Sequence, residues 1–169
     1  MDISRLETSL YNAMNNSLFD FGFYHPYVVD FAITLPIVAL FLHFVSILTQ
    51  ADENSSKVYY RVSNMLFFIG VFFMIFAYIT GIAEGNDVRE VLSVEGRGVY
   101  DAHRTLGTYI VIAFIFLSIL KIISLLVKKD PIRYIFGTLI TITLLILIYS
   151  YVLGISLVYD YGAGVLCSS

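Results

Sequence analysis

Four uninterrupted apolar stretches dominate the 169-residue chain, and each is long enough to cross a lipid bilayer. The hydrocarbon core of a bilayer is about 30 Å thick and takes roughly 20 helical residues to cross. The stretches do not alternate in polarity, and a backbone in lipid must satisfy its own hydrogen bonds, so helices are predicted rather than barrel strands. The predicted spans are Val28–Thr49, Met65–Ile82, Leu106–Val127 and Arg133–Leu157.

Composition excludes several other classes of protein. Hydrophobic residues make up 59% of the chain and charged residues 14%, whereas a soluble domain has about 45–50% and 25%. The net charge is −3 and no basic run occurs, which argues against nucleic acid as a partner. A single cysteine, Cys167, excludes an internal disulfide, a four-thiolate iron–sulfur site and c-type haem attachment. Motifs of nucleotide-binding loops, serine hydrolases and zinc proteases are missing from the sequence.

The first 24 residues form a segment distinct from the transmembrane domain, which covers residues 25–169. Ser4 followed by Glu7 fits a capping box at a helix start. Apolar residues then recur every fourth position, at Leu6, Leu10, Met14 and Leu18. This pattern predicts an amphipathic helix on the membrane surface, and the alternative is a frayed polar tail.

The spans predict an all-α, up-down-up-down four-helix transmembrane bundle, in which spans one and three lie diagonally opposite. The one long connection is expected at Ala83–Thr105, with a short surface helix beginning near Asn86 and a looser chain at Gly96 and Gly98. Cations set the expected orientation, because Lys and Arg concentrate on the cytoplasmic side. Six of the ten are near the two short connections: Lys57, Arg61, Lys121, Lys128, Lys129 and Arg133. Both termini and the long connection are therefore expected outside a bacterial-type inner membrane.

This topology gathers polar residues at the outer end of the bundle. They are His25, Asp30, Glu84, Asp101, His103, Tyr159 and Tyr161. Polar groups in lipid are costly and often functional, but each of these also has a structural interpretation. His25 precedes Pro26 and fits a helix start, His103 fits a solvated interface, Glu84 fits a helix end, and the tyrosines fit an aromatic belt.

Two further polar residues lie deeper in the spans. His43 follows His25 by 18 residues, as Lys121 follows His103, which is five helical turns and places each pair on one stripe. Pro36 is expected to kink the first span and disturb this alignment. Lys121 is expected to snorkel towards the cytoplasm, and His43 to be a packed core residue.

Two histidines at one level permit bis-histidine ligation of haem b, with one axial nitrogen from each of His25 and His103. They also permit a single metal ion with Asp30 or Glu84 as oxygen ligands, and Tyr161 would hydrogen-bond the site. A protein without cofactor remains an alternative. It would be a structural or assembly subunit that packs against other membrane subunits or its own copies, or else an ion or solute path through Asp30, His43 and Lys121.

The start and the end of the predicted bundle resemble the bacterial DUF2231 family of membrane proteins. The stretch His25–Leu35 is similar to the family's opening signature of His-Pro, aliphatics and His-Phe-Pro-Ile-Ala-Leu. Gly154–Val165 is similar to its ending, Gly-x-x-Leu-Val-Tyr-x-His-Gly-x-Gly-Val, and His103–Gly107 to its histidine at the start of span three. The resemblance covers about residues 22 to 165 and implies four helices with an outward-facing polar cluster.

The departures from the family pattern concern its histidines. Asp30 stands where the pattern has its second histidine, Ala32 replaces the proline, and Tyr161 replaces the histidine of the ending. Only His25 and His103 carry over, so a four-histidine site would here become two histidines, a carboxylate and a phenol. The resemblance brings no defined activity and suggests a redox or haem-bearing role.

Overall fold

A computed structural model shows four long helices in sequence. They are α1 (His25–Leu48), α2 (Glu53–Val91), α3 (Val94–Val127) and α4 (Asp130–Tyr159). Each has the length and hydropathy to cross a membrane, as the continuous apolar runs predict. The described helices confirm the all-α bundle.

The structure describes residues 25–127 and 130–163, together with Arg5, Thr8 and Ser9. Four side chains within the helices are outside this description, those of Glu84, Asn86, Asp87 and Asp130. The predicted amphipathic helix over residues 1–24 lies almost wholly outside the described residues and stays a prediction.

The bundle consists of two tight helical hairpins. α1 packs closely along α2, and α3 packs along α4. The hairpins join less closely through α2 with α3 and α1 with α4, and the described backbones make no contact across the diagonals. This neighbour order is the predicted up-down-up-down topology.

Small residues allow α1 and α2 to approach each other closely. Ala32 and Ala39 are almost completely buried, and a Cβ on Gly70 would lie only 2.8 Å from the ring of Pro36. Pro36 therefore packs against a glycine within a continuous helix, and the buried stripe of α1 extends unbroken to His43. Close packing of this kind matters in lipid, where burial of apolar surface does not itself drive helix association.

Aromatic rings fill the middle of the bundle. Phe67 of α2 stacks on Phe114 of α3, with ring centroids 6.2 Å apart, and meets Phe136 of α4 edge-on at 5.1 Å. Large apolar side chains such as Phe41, Phe72 and Leu145 cover the outside of the helices. An apolar circumference around a packed core is what a membrane-embedded bundle requires.

The long connection predicted at Ala83–Thr105 is wrong, because α2 and α3 extend through it and only Leu92 and Ser93 separate them. Side chains brace this turn. Arg89 donates two hydrogen bonds to Asp101, at 2.9 and 3.0 Å, and the carboxylate raises the pKa of Arg89. Arg97 donates to the carbonyls of Leu92 and Glu90. The polar sequence that suggested a loop is instead a helical extension held by charge-assisted bonds.

The connection between α1 and α2 is short and ends in a helix cap. The Asp52 carboxylate accepts hydrogen bonds from the Asn54 backbone at 3.2 Å and the Ser55 hydroxyl at 2.5 Å. These hydrogen bonds lower the pKa of Asp52, and the bond from Ser55 has the largest effect. Such a cap satisfies donors that the first turn of a helix leaves free.

Candidate functional site

His25 begins α1 and contacts α2. Its Nδ1 lies 3.0 Å from the Thr80 hydroxyl oxygen. The Thr80 hydroxyl donates its own proton to backbone carbonyls one turn back, those of Phe76 and Ala77, at 3.1 and 3.0 Å. Because the Thr80 proton is donated to these carbonyls, the Thr80 oxygen acts as the acceptor towards His25. Nδ1 of His25 therefore carries the proton of this hydrogen bond.

His103 on α3 contacts α4 in the same way. Its Nδ1 donates to the Ser150 carbonyl at 2.8 Å, and the Ser150 hydroxyl lies 3.2 Å from the same nitrogen. A carbonyl oxygen only accepts, so this imidazole also carries its proton on Nδ1. In both neutral rings Nε2 therefore keeps its lone pair, and neither Nε2 has a hydrogen-bond partner among the described residues.

A glycine on the neighbouring helix lies against each of these two rings. A Cβ on Gly81 would be 2.9 Å from Cε1 of His25, and a Cβ on Gly154 would be 3.2 Å from Cε1 of His103. Any larger residue at either place would push the imidazole aside. We call His25 and His103 the histidine pair, and each is hydrogen-bonded to the neighbouring helix of its own hairpin.

The other residues predicted for this site are placed differently. Asp30 is exposed on α1. Tyr161 packs against Gly96, two turns before His103, in an apolar cluster that closes the end of the bundle. Glu84 belongs to α2, one turn beyond Thr80, and its side chain is outside the description. Within the described residues, no three His, Cys, Asp or Glu side chains are grouped to hold a metal ion.

Sequence reasoning missed the residues that position the histidine pair: Thr80, Gly81, Ser150 and Gly154. The sequence did contain a signal for these residues. In each case a hydroxyl residue and a glycine lie close together in an apolar span, at the depth where the neighbouring antiparallel span has a histidine. That pattern becomes specific only when helix rotation is known, because hydroxyl residues in helices commonly bond their own backbone.

A second polar group, the lysine cluster, lies at the opposite end of the bundle. It consists of His43, Lys121 and Arg133 around the rings of Tyr60 and Phe136. Lys121 is 1% exposed, so the expectation that it snorkels is wrong. Its Nζ lies 4.1 Å from the centre of the Phe136 ring and 4.6 Å from that of Tyr60, because Lys121 continues the buried stripe of α3.

His43 is fully buried in this cluster, as the packed-core interpretation predicts. It bonds through the other ring nitrogen. Nε2 donates to the Arg133 carbonyl at 3.2 Å, and no described residue is a hydrogen-bond partner of Nδ1. Gly137 of α4 lies against this ring too, since a Cβ there would be 3.3 Å from Nε2.

Comparison with known families gives one match. The model of DUF2231, described as a predicted membrane protein, matches residues 24–166, which include all four helices. Comparisons with curated proteins and with solved structures found no significant match.

Proposed function

This chain belongs to the DUF2231 family of predicted membrane proteins, and we propose that it is a haem b-binding electron-transfer subunit. His25 and His103 would be the axial ligands, one from each hairpin. The main support for this proposal is the pair of Nδ1 hydrogen bonds to Thr80 and Ser150. These bonds leave an Nε2 lone pair on each ring.

The chemistry of these hydrogen bonds supports metal ligation. A ligating histidine usually donates its second ring N–H to a carbonyl or similar acceptor, which fixes the tautomer and makes the ligating nitrogen more basic. Both members of the histidine pair already have this arrangement. Thr80 and Ser150 would thus orient the two imidazoles.

The number of ligands favours haem over an isolated metal ion. Haem supplies four ring nitrogens of its own and takes two axial ligands from a protein such as this one, whereas an isolated metal ion commonly needs three or more protein ligands. The described residues offer two histidines at this level and no larger group. A bound haem b would supply reversible one-electron transfer at its iron.

The surroundings of the pair suit a cofactor in a membrane. Gly81 and Gly154 let each imidazole lie close to the neighbouring helix, and the hairpins meet less tightly than the helices within each hairpin. The aromatic rings in the middle of the bundle would keep water away from the buried side of the histidine pair. We extend the proposal to a bacterial-type inner membrane with the histidine pair at the outer side, from the cation distribution.

The test is the visible spectrum of the full chain in mild detergent, air-oxidised and then dithionite-reduced, with iron analysis and haemin titration of the same sample. We expect a sharp reduced α-band and about one iron per chain. His25→Ala and His103→Ala should each lose the band, whereas the matched control His43→Ala should keep it. Circular dichroism checks that the variants remain helical.

Retention of the band in either ligand variant would overturn the assignment of that histidine. A wild-type protein that stays colourless and does not take up haemin would overturn the haem proposal itself. It would favour the alternative of a structural or assembly subunit, whose readout is copurification with other membrane proteins.

A further inference from the structure

The lysine cluster holds two cations, Lys121 and Arg133, that have no counter-ion among the described residues. Lys121 is almost completely buried, and its Nζ has no hydrogen-bond partner within the described part of the chain. Arg133 donates a hydrogen bond from Nη2 to the Ser46 hydroxyl at 2.5 Å, while its buried Nε has no partner among the side chains and backbone that the structure describes. Lys121 Nζ and Arg133 Cζ each lie 4.6 Å from the centre of the Tyr60 ring, so both cations belong to one site.

The described carboxylates at this end are occupied elsewhere, and the side chain of Asp130 is outside the description. Glu53 pairs with Lys57, and Asp52 caps α2. In the ranges that the structure describes, no carboxylate comes within salt-bridge distance of Lys121 or Arg133. The faces of the Tyr60 and Phe136 rings attract the cations. Ring faces do not neutralise the positive charge, and they do not fully satisfy the N–H donors that remain unpaired.

The unpartnered atoms are complementary to one kind of ligand. Lys121 Nζ and Arg133 Nε are donors, and the neutral His43 accepts at Nδ1 because its Nε2 donates to a carbonyl. His43 and Lys121 both contact Phe136 and Tyr60, so these atoms surround one small region shared by α1, α3 and α4. Arg133 is half-buried, so it is the member of the cluster nearest to the surface.

We propose that the lysine cluster binds a phosphate oxyanion. Its charged oxygens accept from Lys121 and Arg133, and a hydroxyl on the same ligand donates to Nδ1 of His43. Buried cations favour such charge-assisted bonds strongly, because no water competes for them. The ligand is either free hydrogen phosphate or the headgroup of an anionic phospholipid, and both present this chemistry.

The experiment measures thermal unfolding of the full chain in uncharged detergent, by circular dichroism, in a buffer whose only anion is a bulky sulfonate. Sodium phosphate is titrated in at constant ionic strength. A ligand that binds only the folded state raises the Tm in a concentration-dependent way. We expect a saturable rise for the wild type and for the exposed-lysine control Lys57→Met.

Lys121→Met preserves the length and apolar character of the side chain and removes the charge. We expect it to melt higher than the wild type without phosphate, because an uncompensated buried cation is gone, and to lose the phosphate response. Arg133→Gln should bind phosphate on the order of tenfold more weakly. A lower Tm for Lys121→Met with an unchanged phosphate response would overturn the proposal.

A second arm identifies the source of the phosphate group. The protein is placed in phosphatidylcholine nanodiscs with and without phosphatidylglycerol. Stabilisation by phosphatidylglycerol alone assigns a lipid headgroup, and stabilisation by sodium phosphate alone assigns a free anion. A wild type that responds to neither overturns the proposal. A protein that stays colourless and does not take up haemin would end the haem proposal but leave these melting curves unchanged.

Discussion

The two ends of the bundle use the same packing device with opposite hydrogen bonding. Each of the three histidines lies against a glycine of a neighbouring helix, at Gly81, Gly137 or Gly154. The histidine pair bonds through Nδ1, and His43 bonds through Nε2. At the first end the remaining atoms are neutral lone pairs, and at the second they are mostly cationic donors. The two proposals follow from this difference: free lone pairs suit an electron-pair acceptor such as iron, and cationic donors suit an anion.

The largest effect should come from filling the glycine contacts. Gly81→Val places methyl groups where the His25 ring lies, and overpacking of this kind costs about 1–3 kcal/mol. Gly154→Val and Gly137→Val, where the gaps are 3.2 and 3.3 Å, should cost less. Unfolding in detergent, followed by circular dichroism, measures the loss.

Gly107→Val is the matched control, because a Cβ at Gly107 would meet nothing within 4 Å. Equal destabilisation by Gly107→Val and Gly81→Val would contradict the idea that glycines make room for the imidazoles. Haem binding sharpens the comparison, since Gly81→Val and Gly154→Val should weaken it and Gly137→Val should not.

A smaller effect should separate the two members of the histidine pair. Thr80→Val removes the hydroxyl oxygen that lies 3.0 Å from His25 Nδ1, and the loss of one neutral hydrogen bond costs about 0.5–1.5 kcal/mol. Ser150→Ala should cost less, because the backbone carbonyl at 2.8 Å still accepts from His103. The measurements are unfolding free energy and haem affinity. If Ser150→Ala proved as damaging as Thr80→Val, the side-chain hydroxyl rather than the carbonyl would position His103.

The smallest effect concerns acid stability at the end with the lysine cluster. Hydrogen bonds in the folded protein lower the pKa of Asp52, so its contribution is present above the unfolded pKa of about 3.9 and disappears as pH falls through the folded value. Asp52→Ala should therefore lower the Tm slightly at neutral pH and reduce the acid dependence. Parallel melts of the wild type and the variant at neutral and acid pH check this. An unchanged acid dependence would show that the cap does not contribute.

Much of the architecture was predictable because lipid leaves few choices. Continuous apolar runs predict helices, and helices joined in antiparallel order bring His25 and His103 to one level. The error at Ala83–Thr105 arose because polar residues near a membrane surface suit a loop or a helix equally well. The two Arg89–Asp101 hydrogen bonds favour the helix. They join residues of two different helices, so neither helix shows them as a periodic pattern in its own sequence.

The sequence by itself determined the number of spans, their alternation and the level of each histidine, because hydrophobic length and chain connectivity suffice for those properties. Tertiary structure decided which ring nitrogen each histidine leaves free and whether Lys121 reaches water. Those outcomes depend on the rotation of each helix about its axis and on the glycine or carbonyl that the neighbouring helix presents. Packing between helices sets that rotation and places side chains to within a few ångströms. The order of residues along one span does not specify positions at that scale.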